Sequence, residues 1–407
     1  MSSPHPSRGL PTVTVVGIGA DGWRGLPAHL REVVLKARVV LGGERHLGLV
    51  PVRPAQRRIT WPTPLRPQLA DLVNSQVEGP VVALASGDPL VSGIGSTLIS
   101  VLGPDRVRIH PSVSSVALAR AEMGWPAESC AVVSLVSREA SRILRELAPG
   151  RRVIALSADE TTPQEVAELL SQAGYGESVI HVLGNLGGED FSRTDASADR
   201  WSEVAPRLNI MAIELSGPRL GGWVAGLPDR LFEHDGQLTK RDLRASALAR
   251  LAPTPGEHLW DVGAGAGSIG IEWMRAHPSC TATAIEAQRE RAERIGRNAL
   301  RLGVPGLRVV GQAAPEALQG LRRPDAVFVG GGATPGVVDA CMAALGTSGR
   351  LVVHGVTLET ERLLGELHSV HGGELTRISV ETASPIGSYT GWKPARAVTQ
   401  WAFTLDV

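Results

Sequence analysis

The segment 259–270, LWDVGAGAGSIG, runs an apolar stretch into an acidic residue, Asp261, and then places glycine at every second position. Gly263, Gly265 and Gly267, with only Ala264 and Ala266 between them, let the backbone turn sharply and approach a ligand with no Cβ in the way. The following SIGIEWMRA predicts a helix whose N-terminus points at that ligand. Glu286 closes a second apolar run, TATAIE, where a carboxylate can accept hydrogen bonds from ribose hydroxyls. Together these residues predict a nucleotide-type cofactor site. The spacing alone admits two cofactors, because Gly265-Ala-Gly267-Ser-Ile-Gly270 also satisfies the dinucleotide pattern G-x-G-x-x-G, with an acid about 20 residues on. Asp261 favours S-adenosylmethionine (SAM) over NAD(P). A carboxylate at the mouth of the loop repels a pyrophosphate and attracts an ammonium and a sulfonium. A strand-to-helix turn without a ligand is the plain structural alternative, and the paired Glu286 weighs against it.

The elements that must position these residues fall into two halves. Strand-like runs at 12–19, 80–86, 106–110, 131–136, 151–157, 178–184 and 209–215 alternate with helical stretches, which predicts α/β architecture. The stretch SGPRLGGWVAGLPDRLFEHDGQ is rich in Gly and Pro, lacks periodicity and reads as a connection over 216–237. A helix at 240–251 then restarts the pattern, followed by strands at 258–262, 281–285, 307–310, 325–329 and 350–354. Apolar runs near 377–382 and 397–405, joined by a Gly/Pro-rich loop, predict a terminal antiparallel pair on a single doubly wound sheet. Its ligand site is expected beyond the carboxyl ends of the strands, where Asp261, Glu286, the loop after Val310 and the glycines 330–332 converge. The expected domains are 10–215 and 238–407.

At 407 residues, with 43% hydrophobic and 20% charged residues, the chain has the composition of a soluble protein of two or three domains. Basic and acidic residues both number 41, so net charge makes no case for nucleic acid or an anionic membrane as partner. The N-terminal MSSPHPSRGLP lacks the apolar stretch of a signal peptide, and no apolar run approaches the ~18 residues of a membrane span. A cytoplasmic protein is expected. Cys130, Cys280 and Cys341 are far apart and lack metal-ligand spacing, so they read as buried reduced thiols, and no metal site is expected. His368 and His371 read as a solvated helix face.

These residues carry a family resemblance. The segments LTKRDLRASALARL, LWDVGAGAGSIGIE, AAPEAL and DAVFVGGG resemble the decarboxylating precorrin methyltransferases of cobalamin synthesis, which are class I SAM-dependent enzymes with a Rossmann-like fold. VVGIGADG, LGGERHL, ASGDPLVSGIGSTL and PSVSSVALARAEMGW resemble the tetrapyrrole methylases, a separate SAM-binding fold of two α/β lobes. Together they cover the chain between about 12 and 405, and a fusion in this order resembles the precorrin-6Y C5,15-methyltransferase (decarboxylating) family.

The resemblance implies two SAM sites. In the second domain it places SAM against Thr239, the loop Gly263 to Gly267, Glu286 and Ala314. Gln312 and Ala313 stand where many class I enzymes have Gly-Asp, so backbone atoms at Ala313 and Ala314 would replace an acidic contact to adenine. In the first domain it places SAM near Ser86, Gly87 and Asp88, with Ser114, Ser115, Asn185 and Leu186 contributing. The first loop reads Gly17-Ile-Gly19-Ala-Asp21 where many relatives carry G-x-G-P-G. Ser-Ser ahead of an apolar helix also fits an ordinary helix cap, and SGDP an ordinary turn.

The implied chemistry is methylation at C15 with loss of a ring C acetate as carbon dioxide in the second domain, and methylation at C5 in the first, converting precorrin-6B to precorrin-8X. No obligatory nucleophile is expected, because a sulfonium is already an activated leaving group. The substrate is a polyanionic tetrapyrrole, so Lys240, Arg241, Arg244, His354, Arg45 and His46 are candidates for carboxylate binding or proton transfer, each equally readable as a structural or solvated side chain. A homo-oligomer is expected. Two rival readings are a class I methyltransferase of RNA or another small molecule with an N-terminal binding module, and an NAD(P)-dependent tetrapyrrole reductase. The absence of an aromatic-basic stripe weighs against RNA.

Overall fold

The computed structural model describes residues 12–76 and 79–405. The segment MSSPHPSRGLP, read above for a leader, lies outside the described residues. The chain forms two compact units: residues up to Ala140 together with Gly150–Gly217, and Ser141–Pro149 together with the chain from Pro218 onward.

The first unit contains two sheets. Strands β1 (Val13–Ile18), β2 (Val39–Gly42), β3 (Arg57–Thr60), β4 (Val81–Ser86) and β5 (Val107–His110) form an all-parallel sheet in the order β3-β2-β4-β1-β5. Strands β6 (Cys130–Ser134), β7 (Arg152–Leu156), β8 (Val179–Gly184), β9 (Ser192–Ser197) and β10 (Asn209–Glu214) form a mixed sheet in the order β6-β7-β10-β8-β9. Parallel strands covered on both faces must be apolar throughout, and β4 is buried from Val81 to Ala85. Side chains of alternating position separate onto the two faces: Val13, Val15, Val81 and Ala83 pack on one, Val16, Ile18, Val82 and Leu84 on the other. The sequence reading omits β2, β3 and β9. β3 and β9 have no buried side chain, and β2 is only four residues long, so none offers a strong periodic signal.

The second unit is built on β11 (His258–Val262), β12 (Thr281–Ile285), β13 (Arg308–Val310), β14 (Ala326–Val329), β15 (Arg350–Gly355), β16 (Glu374–Ile378), a hairpin of β17 (Glu381–Ile386) and β18 (Tyr389–Pro394), and β19 (Val398–Thr404). Seven strands run in the order β13-β12-β11-β14-β15-β19-β16, the first five parallel and β19 antiparallel to both its neighbours. Leu259 faces the helices Arg241–Leu251, Ser268–Ala276 and Arg289–Arg301, while Trp260 and Val262 face Pro335–Ala344 and Leu358–His371. The fold is thus α/β throughout, a two-sheet first unit and a Rossmann-like second unit.

Two features differ from expectation. The loop predicted between the terminal strands is itself the β17–β18 hairpin, with Ile386, Tyr389 and Trp392 exposed. The residues from Pro218 to 237, read as a connection, pack within the second unit, where Leu227 and Phe232 are buried in its core. Cys280 and Cys341 are buried, whereas Cys130 is only partly so; all three are free thiols. Among the described residues no helix is long and apolar enough to cross a membrane, and no group of His, Cys, Asp or Glu is arranged to hold a metal ion.

Candidate functional site

In the second unit the strand order reverses between β11 and β14, whose following loops leave toward opposite edges of the sheet. Such a switch point opens a crevice at the carboxyl ends of the strands. The loop after β11 lines it. Gly263, Gly265 and Gly267 all adopt the left-handed conformation, at φ +66°, +58° and +75°, which a side chain disfavours. A Cβ on Gly265 would also stand 2.8 Å from the Gln237 carbonyl oxygen. The close approach that demands glycine is therefore to the protein's own backbone.

Both carboxylates of the sequence pattern converge here. Glu286 follows β12 and is nearly buried; its Oε2 accepts from the Gly265 N–H at 2.9 Å and its Oε1 from the Gln288 N–H at 3.0 Å. It thus holds the glycine loop against the end of β12. Asp261 does not stand at the mouth of the loop, as its sequence position suggested. It is 1% exposed and lies against the first turn of the helix Ser268–Ala276, where its Oδ2 accepts from the Gly270 N–H at 2.9 Å. Its Oδ1 has no hydrogen-bond partner among the described residues. Burial pushes the Asp261 carboxyl up to about 7, the Gly270 N–H opposes that rise and the Glu286 charge adds to it. A half-satisfied buried acid beside a second acid fits a cationic nucleoside, and a pyrophosphate would add negative charge to both.

The segment 226–240 walls this crevice. Arg244, proposed from sequence as a fork for substrate carboxylates, is instead fully buried. Its Nε donates to Glu272 Oε1 at 2.5 Å, its Nη1 and Nη2 to Asp229 Oδ1 at 3.3 and 3.2 Å and to the carbonyls of Thr239 and Leu227, and it lies over the Phe232 ring. Every donor is spent on the protein itself, so none is left for a substrate. Glu272 also accepts from the N–H groups of Gly226 and Leu227. Thr239 is thereby held by its carbonyl, two residues after the Gln237 that abuts Gly265. Arg241 donates to the Gly226 carbonyl at 2.7 Å, and Lys240 lies 3.8 Å from Asp229, both with exposed side chains. Asn298, which the sequence reading missed, is buried and ties the wall to the loop: it donates to the carbonyls of Ala266 and Glu233 and accepts from the Glu233 N–H.

Two further candidates are placed as follows. Ala313 is exposed and Ala314 half-buried, in the turn after β13, with the Ala313 carbonyl accepting from the Ala317 N–H. His354 does not reach the rim: it is buried, hydrogen-bonded to the Gln400 side chain at 2.9 Å and set edge-on to Phe328. Burial pushes it down to about 4, against the Gln400 hydrogen bond and helped by Arg250. A neutral, enclosed imidazole is a packing element here.

In the first unit the equivalent reversal falls between β4 and β1, and Ser86 pairs with Ile18 at their carboxyl ends. Gly87 adopts φ +45°, donates to the Ile18 carbonyl and accepts from the Ser112 N–H, and Gly17 packs directly beneath it. Gly19 lies under the Asp21 carboxylate. Asp88 turns the chain by accepting from the Leu90 N–H at 2.9 Å. Ser114 caps the helix that Ser115 opens, accepting from the Ala117 N–H at 3.1 Å. Asn185 sits at φ +48° with its amide on the Asp190 carbonyl, and Leu186 packs against the buried cluster that holds Ala119 and Leu183. Arg45 and His46 belong to a short helix, Glu44–Gly48, rather than to a glycine loop, and both reach the Ser86 hydroxyl, at 2.8 and 2.9 Å.

Two α/β units, each turned by left-handed glycines at the carboxyl ends of central parallel strands, make up a SAM-dependent methyltransferase, as the following likenesses show. Residues 12–198 match the tetrapyrrole (corrin/porphyrin) methylases, and 230–405 match the precorrin methyltransferase domain. The chain is 44% identical over 409 residues to a precorrin-6Y C(5,15)-methyltransferase (decarboxylating) of Sinorhizobium sp, covering 99% of each. Two shorter relatives come from Salmonella typhimurium: a cobalt-precorrin-7 C(5)-methyltransferase, 31% identical over 44% of this chain and 87% of its own, and a cobalt-precorrin-6B C(15)-methyltransferase (decarboxylating), 32% identical over 40% and 85%. The chain belongs to the precorrin-6Y C(5,15)-methyltransferase (decarboxylating) family.

Proposed function

We propose that the chain methylates a corrin precursor twice and decarboxylates it, and that each unit carries its own SAM site. The first unit, 10–215 in the sequence division, methylates C5; the second, 238–407, methylates C15 and removes the ring C acetate carboxyl. Half-length relatives named for each of these activities support the division, as do two separate switch-point crevices.

In the second unit the residues proposed to hold SAM are Thr239, Asp261, Gly263 to Gly267, Glu286, Ala313 and Ala314. In the first they are Gly17, Gly19, Ser86 to Asp88, Ser114, Ser115, Asn185 and Leu186. SAM supplies an electrophilic methyl group with its leaving group already activated, so these side chains align rather than ionise. Asp261 and Glu286 favour the positive charge, and the glycine loop gives the adenosine close access to the backbone. The full-length relatives named as methyltransferases carry this reading over a nicotinamide cofactor, with the Glu286 carboxylate behind the glycine loop in keeping with it. Lys240 and Arg241, exposed at the edge of the second crevice, are proposed to meet substrate carboxylates. Titration calorimetry on the full chain tests the proposal: two SAM equivalents are expected, and one equivalent with both units folded refutes it.

A further inference from the structure

We propose that Ser86 and His46 form the proton-accepting pair for methylation in the first unit, with Arg45 as the residue that positions them; this rests on the assignment of C5 methylation to that unit. Ser86 is the exposed last residue of β4, a strand otherwise buried from end to end, so a rigid central strand delivers its hydroxyl to the switch-point crevice. Three groups meet there in a tight triangle. The Arg45 Nη2 lies 2.8 Å from the Ser86 Oγ and 2.8 Å from the His46 Nε2, and the Ser86 Oγ lies 2.9 Å from that same Nε2.

The triangle is satisfied by a neutral imidazole protonated on Nδ1, whose single Nε2 lone pair is shared by the Arg45 N–H and the Ser86 O–H. A guanidinium only donates, so the Ser86 oxygen and the His46 Nε2 are both acceptors toward Arg45. Nε2 is then the unprotonated nitrogen of a neutral imidazole, and the Ser86 hydrogen is free to point at it. Burial, with help from the Arg45 charge, pushes His46 down to about 4, which keeps the ring neutral at physiological pH. The pair is a hydroxyl in contact with a neutral base at the carboxyl end of a central strand.

Methylation of a meso carbon needs such a pair. The carbon carries one hydrogen, and when its π electrons form the new carbon–carbon bond, the sulfur keeps the electron pair of the old one and the macrocycle is left positively charged. The ring regains its conjugation when that hydrogen leaves as a proton and the C–H electrons return to it. Ser86 Oγ takes the proton and passes its own to His46 Nε2, and the imidazolium, unfavourable beside Arg45, releases its Nδ1 proton to solvent. A carbon made cationic is a strong acid, so a weakly basic imidazole is sufficient.

The test uses the full chain with SAM and the tetrapyrrole substrate, with products weighed by mass spectrometry. His46→Ala is expected to slow addition of the C5 methyl by about a hundredfold or more, to leave the C15 methyl and the loss of carbon dioxide at the parental rate, and to regain part of the lost rate when imidazole is added. Ser86→Ala, at an exposed site that leaves no buried group unpaired, is expected to show the same selective slowing at saturating SAM, and a slowing that disappears as SAM is raised would mean that Ser86 only holds the cofactor and would overturn its part in the pair. Parental rates in both variants, or no recovery with imidazole, overturn the proposal while leaving the assignment of C5 to the first unit intact. If His46→Ala instead removes C15 methylation and decarboxylation while SAM binding persists, the division of labour itself is wrong.

Discussion

At the end of β11 the second unit buries one carboxylate beside another, Asp261 beside Glu286, whereas at the end of β4 the first unit exposes a serine held by an arginine and a histidine. Both places are switch points of parallel sheets, both are turned by left-handed glycines, and both open at the carboxyl ends of central strands. Topology therefore decides where a ligand goes in each unit. It does not decide what the crevice does. That falls to the strand-end residues: the second unit places two buried acids there, while the first places a hydroxyl against a neutral imidazole.

The sharpest way to break this comparison is to fill each glycine loop in turn. Gly265→Asp forces a side chain onto a left-handed backbone and into the Gln237 carbonyl, and near-complete loss of C15 methylation and decarboxylation is expected, with the first unit still binding SAM. The reciprocal Gly87→Asp meets the Val113 carbonyl at 2.9 Å and is expected to leave a singly methylated, decarboxylated product. Mass spectrometry distinguishes the two, and loss of decarboxylation in Gly87→Asp with normal SAM binding in the second unit would contradict the division.

Glu286→Ala is the next largest expected effect. It removes the acceptor for the Gly265 N–H and, on the proposed assignment, the partner of the ribose, and SAM should bind the second unit more weakly by about 1.5 to 3 kcal/mol, the range for hydrogen bonds to a charged group. Calorimetry should find the first site unchanged.

The smallest effect sharpens the electrostatic half of the comparison. Asp261 has its carboxyl raised in the folded protein, so its contribution to stability is complete below the ordinary carboxylate range and is lost as pH rises through about 7. A bound cation has the opposite preference and favours the ionised form. SAM affinity at the second site is therefore expected to climb by up to about tenfold between pH 6 and 7 and then level off. Asp261→Asn should flatten that climb, and a parent affinity independent of pH over this interval would show that the cofactor's charge does not feel Asp261.

Much of this was legible before any coordinate. The strands β11 to β15 and their βα order, the glycine loop and the Glu286 position follow from periodicity and spacing. The misreadings have a common cause. Arg244 falls on the stripe Arg244, Ala247, Leu248, Leu251, and Asn298 on the stripe Ile295, Asn298, Ala299, Leu302, all buried positions at helical spacing. A polar residue in an apolar stripe is a buried polar residue with partners, and that signal was available for both. The β17–β18 hairpin likewise turns at Gly387-Ser388, a two-residue hairpin pair hidden in what read as a loop.

The sequence by itself determined the two-unit α/β architecture, the glycine loop that only left-handed φ values explain, and the acid at the end of each of two neighbouring strands, because these depend on short-range period and spacing. Only the tertiary structure decided which way the polar side chains turned. Arg244 and His354 went inward because Glu272, Asp229 and Gln400 wait for them on other elements. Arg45 and His46 went to Ser86, forty residues on, because parallel pairing of β2 with β4 brings the start of one helix to the end of another strand. Partners so distant in the chain leave no periodic trace, and it is the partner that sets whether a charge binds substrate, holds a loop or receives a proton.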